Sequence, residues 1–415
     1  MSNKSEKSKV KWIILGVILA IIGIVGRLIF YSFKSDNKIQ ENPKSPLSEN
    51  LPPPFPFSPP QNFKPSIFRL ENIPAERSRN RYQNLTPNQQ KRIIECLASQ
   101  VNINPQKSYI DYRWGFNMVP AIWEMHRDQD HAFYLFTDKG EFFVKVNNFS
   151  DLSRFEYEKE SMLAISEAAP DLAPRSLVLG NLPQDGNFLV VNFIEARWHD
   201  RLKIENQKLL AKYLAQLHQK KSPNGKFGFH IGKNNQRKDN WATFFLENRW
   251  QPLWKRVLEK YPADQELKKW GTVIGEKVIP ELLSNLVVEP VLIHGNLIFD
   301  DWGINYHTGR PWLFDTYSCY GHNEMDLSLI HYSDKEFDWV EGKILEQVKG
   351  EFFEKDFVDE YQKYKPLPPG FEERKTLYRL YNYLYAKTTH KTLTPGKKIY
   401  EKILTMMKEL AQKWN

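Results

Sequence analysis

Between Val291 and Asp315 the chain commits itself to a tight local geometry. A short apolar run, Val291 to Ile293, reads as a strand and leads straight into His294-Gly295-Asn296, a turn that would hold a polar side chain over a cleft. A second strand follows: Trp312-Leu313-Phe314 ends in Asp315 and is preceded by the turn sequence His307-Thr308-Gly309-Arg310-Pro311. The two strands are therefore expected to form a hairpin with polar groups at one edge. Such an edge suits phosphoryl transfer, which needs one group on the attacking hydroxyl and oxygen-rich ligands for Mg²⁺. Asp315 suits the metal and Asp301 can join it. Read alone, Asp300 is no more than part of a solvated turn.

The longer run LIHGNLIFDDWGINYHTGRPWLFDTYSCYGHNEMDLSL, Leu292 to Leu329, resembles the fructosamine (ketosamine) kinase family. That family is related to aminoglycoside phosphotransferases and usually reads LLHGDLWSGN and then LFDPASYYGDREMDLA. The resemblance implies that Asp315 is the metal carboxylate and that Asp326 braces the catalytic loop from a following helix. Phe142 to Asn147 resembles the strand whose Lys, here Lys145, contacts the nucleotide phosphates. Phe155-Glu156-Tyr157-Glu158 resembles the family's FEGE, with Glu158 the expected partner of Lys145 and Glu156 the alternative. Asn192-Phe193-Ile194, after Phe188 to Val191, resembles the hinge that holds adenine through backbone groups. Leu214 to His218 matches LAxLH, where a packed helix face with a capping or backbone-satisfying His218 is the simpler reading.

The resemblance runs from about Phe133 to the C-terminus. It implies an α+β, bilobal protein-kinase-like fold with a small β-rich N-lobe, about 84–195, and a larger helical C-lobe, about 196–415. It also implies ATP and Mg²⁺ as cofactors and a small-molecule or protein-bound ketosamine as acceptor.

Departures from the family pattern bear on chemistry. Where the family has an Asp two residues after the His, this chain has Asn296, and where it usually has a metal-binding Asn it has Asp301. Asn cannot accept a proton, so chemistry at Asn296 would proceed by positioning the hydroxyl; loss of a general base typically costs about 10²- to 10⁴-fold. Ile298 replaces the Trp that commonly follows HGDL, and Tyr385-Ala386 stands where a helix reading LLNHL is thought to line the sugar. No glycine lies between Gly115 and Gly140, although glycines there would let backbone N–H groups approach phosphate. Two readings stay open: a slow or unusual ketosamine kinase, and a catalytically impaired pseudokinase that binds nucleotide or a partner.

Residues 1–11 are basic, and Trp12 to Phe33 is uncharged apart from Arg27 and largely apolar. As a helix at about 1.5 Å per residue it would reach roughly 33 Å, enough to cross a bilayer core. With no small-x-small cleavage site after Gly26, it reads as an uncleaved single-pass anchor rather than a signal peptide. The flanking lysines leave its orientation open, and an ATP-dependent domain is easiest to place in the cytoplasm. Residues 34–83 read as a Pro-rich linker, with nine prolines between Pro43 and Pro65 forming an extended spacer, and 84–415 as the kinase-like domain. Thr86 and Pro87 mark the start of a helix whose Ile93, Ile94 and Leu97 share a face. Of the net charge of +8, residues 1–44 supply five through eight basic and three acidic side chains, which argues against nucleic acid as a partner. Cys96 and Cys319 make neither a disulfide framework nor a zinc site.

Overall fold

Thr86 caps helix α1 (Pro87–Ala98) by accepting from Gln89 N, while the Gln89 side chain accepts from Thr86 N, and Ile93, Ile94 and Leu97 are its buried face. The computed structural model describes residues 85–111, 130–148, 151–183, 186–197, 199–232, 235–298, 301–328, 354–389 and 397–412, all within the unit Ser58–Asn415. The buried face of α1 joins a core built on a five-stranded antiparallel sheet. Its strands are β1 (Tyr109–Asp111), β2 (Asp130–Thr137), β3 (Gly140–Asn147), β4 (Ser176–Asn181) and β5 (Asn187–Asn192), in the order β1-β2-β3-β5-β4. Side chains alternate across a strand, so Phe142, Val144 and Val146 enter this core while Phe143 and Lys145 take the other face. Against that second face lies α2 (Ser153–Ala168), which buries Phe155, Tyr157, Glu158 and Met162.

The remainder is largely helical: α3 (Ile204–Leu217), α4 (Trp241–Phe245), α5 (Gln251–Lys260), α6 (Gln265–Val273), α7 (Ile279–Leu283), α8 (Glu324–Leu327), α9 (Glu354–Gln362), α10 (Phe371–Thr389) and α11 (Lys397–Ala411). Two π-helical stretches, Leu246–Trp250 and Ile274–Val278, join α4 to α5 and α6 to α7. Stacked Trp250 and Trp254, with ring centroids 5.8 Å apart, fill the space left by Gly275 and Gly271. A Cβ at Gly271 would lie 2.0 Å from Trp254, so the two helical runs approach this closely only with glycine there.

The strand pairing around the site differs from the sequence expectation. Val291–Ile293 (β7) pairs with Cys319–Gly321 (β10), and the hairpin is made by Trp302–Asn305 (β8) with Pro311–Leu313 (β9), extended by Ala196–Arg197 (β6). The His307–Pro311 turn was legible, but a three-residue strand has too few side chains to specify its neighbour. This pairing still brings the His294 turn beside the segment that follows Asp315.

The expected single-pass membrane localisation is corrected: among the described residues no helix is long and apolar enough to cross a membrane. Even the longest, α10 and α2, carry charge along their length. Residues 12–33, on which that expectation rested, lie outside the described residues, as do the Pro-rich stretch 43–65 and residues 116–129 of the glycine-free run before Gly140.

Candidate active site

Lys145 stands where the sheet, α2 and the segment after β9 converge. Its Nζ contacts Glu158 Oε1 and lies 2.5 Å from Asp315 Oδ1, and all three side chains are about nine-tenths buried. Glu158, not Glu156, is the residue of α2 that meets Lys145. Burying one cation with two carboxylates is tolerable only because each charge has an opposite partner in contact. Asp315 itself has φ +56°, a left-handed conformation uncommon outside glycine, which turns the chain sharply at the end of β9.

The turn after β7 is fixed by Asp326 on α8. Asp326 Oδ2 accepts from His294 N at 2.6 Å and Oδ1 accepts from Gly295 N at 2.9 Å. His218 at the end of α3 adds a third bond, its Nε2 donating to Oδ2 over 3.1 Å, while its Nδ1 accepts from Tyr361 OH at 2.7 Å. Tyr361 in turn accepts from Asn323 Nδ2 at 3.0 Å. Burial alone would push Asp326 upward, yet the bonds from His218 and Gly295 and the two nearby imidazoles hold its carboxyl below the ordinary range. Burial pushes His218 and His294 down, so both are neutral imidazoles with one donor and one acceptor nitrogen. His294 Nε2 donates to Phe314 O at 3.0 Å, and Nδ1 accepts from Asn296 N at 3.3 Å. Gly295, φ +85°, cannot be replaced without displacing backbone: a Cβ there would lie 2.0 Å from Tyr317 O.

This frame presents Asn296, whose Nδ2 donates to Asp301 Oδ2 over 3.4 Å. Asp301 is tied to the hairpin because Phe314 N donates to its carbonyl at 3.1 Å. Beyond Lys145 opens a cleft with about 670 Å³ of empty space, its open mouth included. Met162, Val191, Phe193, Ile194, Trp312 and Phe314 give it apolar walls, with Lys145, Glu158 and Asp315 at one end. Asn192 is committed elsewhere, its N–H donating to Arg175 O at 3.1 Å and its Oδ1 accepting from Arg175 N at 2.5 Å. Among the described residues no hydrogen bond engages the backbone of Phe193 or Ile194, so these two carry the available hinge groups.

The structure thus gathers Lys145, Glu158, Asp315 and the hinge around one cleft and sets Asn296 against Asp301. His218 is structural, as its sequence context suggested, but its partners are side chains rather than backbone. Tyr361, Asn323 and the buried pair Glu324–Arg374 were missed. Arg374 reaches Glu324 with two bonds, Nε to Oε2 at 2.7 Å and Nη2 to Oε1 at 2.6 Å, across fifty residues of sequence. The local sequence gave no sign of this pair, because the turn of α8 carries two carboxylates, Glu324 and Asp326, and nothing in it marks a partner fifty residues on. Cys319 is buried and accepts from Arg249 Nη2 at 3.4 Å, and burial pushes its thiol up, away from reactivity. Tyr317 had drawn no notice; it is 49% exposed and lies against buried Tyr157 with ring centroids 4.1 Å apart.

A family model described as fructosamine kinase matches residues 125–406. The chain is 29% identical over 258 residues to the chloroplastic protein-ribulosamine 3-kinase of Arabidopsis thaliana, covering 60% of this chain and 71% of that one. It is 28% identical over 279 residues to the ketosamine-3-kinase of Mus musculus, covering 60% and 82% respectively. Among solved structures, a putative fructosamine-3-kinase from Haemophilus somnus superposes with a TM-score of 0.58 at 20% identity, covering 77% of this chain and 96% of the other. That likeness carries the kinase-like fold of mixed helix and sheet.

Proposed function

Because the chain belongs to the fructosamine kinase family, we propose that it transfers the γ-phosphoryl group of ATP to a hydroxyl of a ketosamine, free or protein-bound. One observation carries the reading: Lys145, held by Glu158 and Asp315, ends an apolar cleft whose hinge backbone is available to a base. In it the adenine edge pairs with the Phe193–Ile194 backbone, and Lys145 turns its point charge to the phosphates.

Asp315 and Asp301 are the residues that would hold Mg²⁺. Among the described residues no group of three acidic, histidine or cysteine side chains is placed to hold an ion, and two carboxylates suit a hard cation that takes its other oxygens from phosphate and water. When bound, the ion neutralises charge on the phosphates. Asn296 orients the attacking hydroxyl without taking its proton. On the acceptor side, Ile298 is half-buried against the core and offers no ring, whereas Tyr317 and Tyr385 are exposed, the latter with the Arg256 guanidinium 5.3 Å from its ring centre. These two rings are the surfaces a sugar would meet.

A non-catalytic module that binds nucleotide or a partner is the second reading, favoured by the amide at 296. Incubation with ATP, Mg²⁺ and fructosyl-lysine separates the two. ADP formation that depends on the acceptor supports the kinase. Nucleotide binding in a thermal-shift titration with no turnover of any ketosamine supports the module.

A further inference from the structure

Asn296 and Asp301 exchange residue types relative to the family pattern, and in the fold the exchanged side chains meet, Asn296 Nδ2 to Asp301 Oδ2. A side-chain amide has two faces, one that donates and one that accepts, related by a half-turn. An ionised carboxylate only accepts, so it selects the donating face and leaves the amide oxygen turned away from it. Asp301 is held in place to do this: it is 6% exposed, its N–H donates to Ile298 O at 3.1 Å and its carbonyl accepts from Phe314 N. Asn296 is held by the same strand end, since its N–H donates to His294, whose ring donates to Phe314 O.

We propose that Asp301 is a positioning residue that locks the Asn296 amide, so that Oδ1 accepts the hydrogen bond of the sugar hydroxyl. The assignment rests on the kinase reading above. As the hydroxyl oxygen bonds to Pγ, the bond from Pγ to the bridging oxygen breaks and its electron pair leaves on ADP. The hydroxyl proton passes to solvent or to an oxygen of the transferred phosphoryl group, because Asn296 has no site for it. Exchanging both residues keeps one amide facing one carboxylate. Changing either alone sets two carboxylates or two amides against each other, which accounts for the two departures occurring together.

The test is a double-mutant cycle of Asn296→Asp, Asp301→Asn and both together, read in kcat, KM for ATP, KM for fructosyl-lysine and urea midpoint. Each single variant is expected to lose on the order of ten-fold in kcat, Asn296→Asp with KM for ATP nearly unchanged and with a lowered urea midpoint. The double variant is expected to recover both kcat and midpoint. Asn296→Asp alone matching the double variant in kcat overturns the proposal, as do additive effects throughout the cycle. If no form transfers phosphate, the kinase reading fails separately and the urea cycle still decides the pair: coupling supports the lock and additivity overturns it.

Discussion

Lys145 gives up its hydration to sit between Glu158 and Asp315, and what it gains depends on residues far apart in sequence. The Glu158 contact was legible, since a Lys on a strand and a Glu on the following helix come with a recognisable spacing. Asp315 lies 170 residues away, and only the fold brings it within 2.5 Å. Replacing the cation leaves two buried carboxylates facing each other. Lys145→Met is therefore expected to lower stability by roughly 3–5 kcal/mol at neutral pH, as breaking a buried ion pair generally does. A urea melt measures this, and a midpoint unchanged from wild type would show the three charges to be independent. At the same scale Phe193 and Ile194 offer backbone groups, whereas Asn192 is spent on Arg175.

At the level of elements, the start of α1 and its buried face were readable because the Thr86 cap, Pro87 and the spacing of Ile93, Ile94 and Leu97 are all local signals. That Asp326 on α8 braces the site turn was implied by the family resemblance, whereas the pairing of β7 with β10 and the support Asp326 takes from α3 and α9 through His218 and Tyr361 were not readable, because they depend on contacts between distant segments. Arg374 on α10 holds Glu324 on α8 with both side chains almost fully buried, so Arg374→Met should cost roughly 3–5 kcal/mol in a denaturant melt. It should also weaken transfer, because α8 carries Asp326. The bracing layer has a pH signature. Burial lowers His218, His294 and His322 below 6.5, in the last case with help from Arg374, so the unfolded chain takes up protons that the folded chain refuses. Their contribution is complete above pH 6.5 and is lost as pH falls from there towards the folded values, by about 1.4 kcal/mol per pH unit for each proton taken up. Asp326, also lowered, adds a loss below its unfolded value of 3.8, whereas Glu324, raised by burial, acts in the opposite sense. Urea midpoints between pH 8 and pH 5 are expected to stay level and then drop below about 6.5; a flat profile would mean that the three imidazoles titrate normally.

For the whole molecule, many short matches in one order made the family readable, because each marks a place where backbone geometry and charge must coincide. The membrane expectation came from a single apolar run, a signal that depends on nothing else in the chain and is not supported among the described helices. Chemistry was the hardest to read from sequence. The exchange of Asn296 and Asp301 looks like damage on paper, but in the fold the two residues form one contact beside an otherwise well-formed cleft. The most direct measurement of that view is the mass of fructosyl-lysine after incubation with ATP, Mg²⁺ and either wild-type protein or Asp315→Ala, with both proteins shown to be folded. Wild type is expected to give an acceptor heavier by one phosphoryl group, and the variant at least about 10²-fold less of it. Equal phosphorylation by both proteins, or none by wild type across a panel of ketosamines, would contradict it.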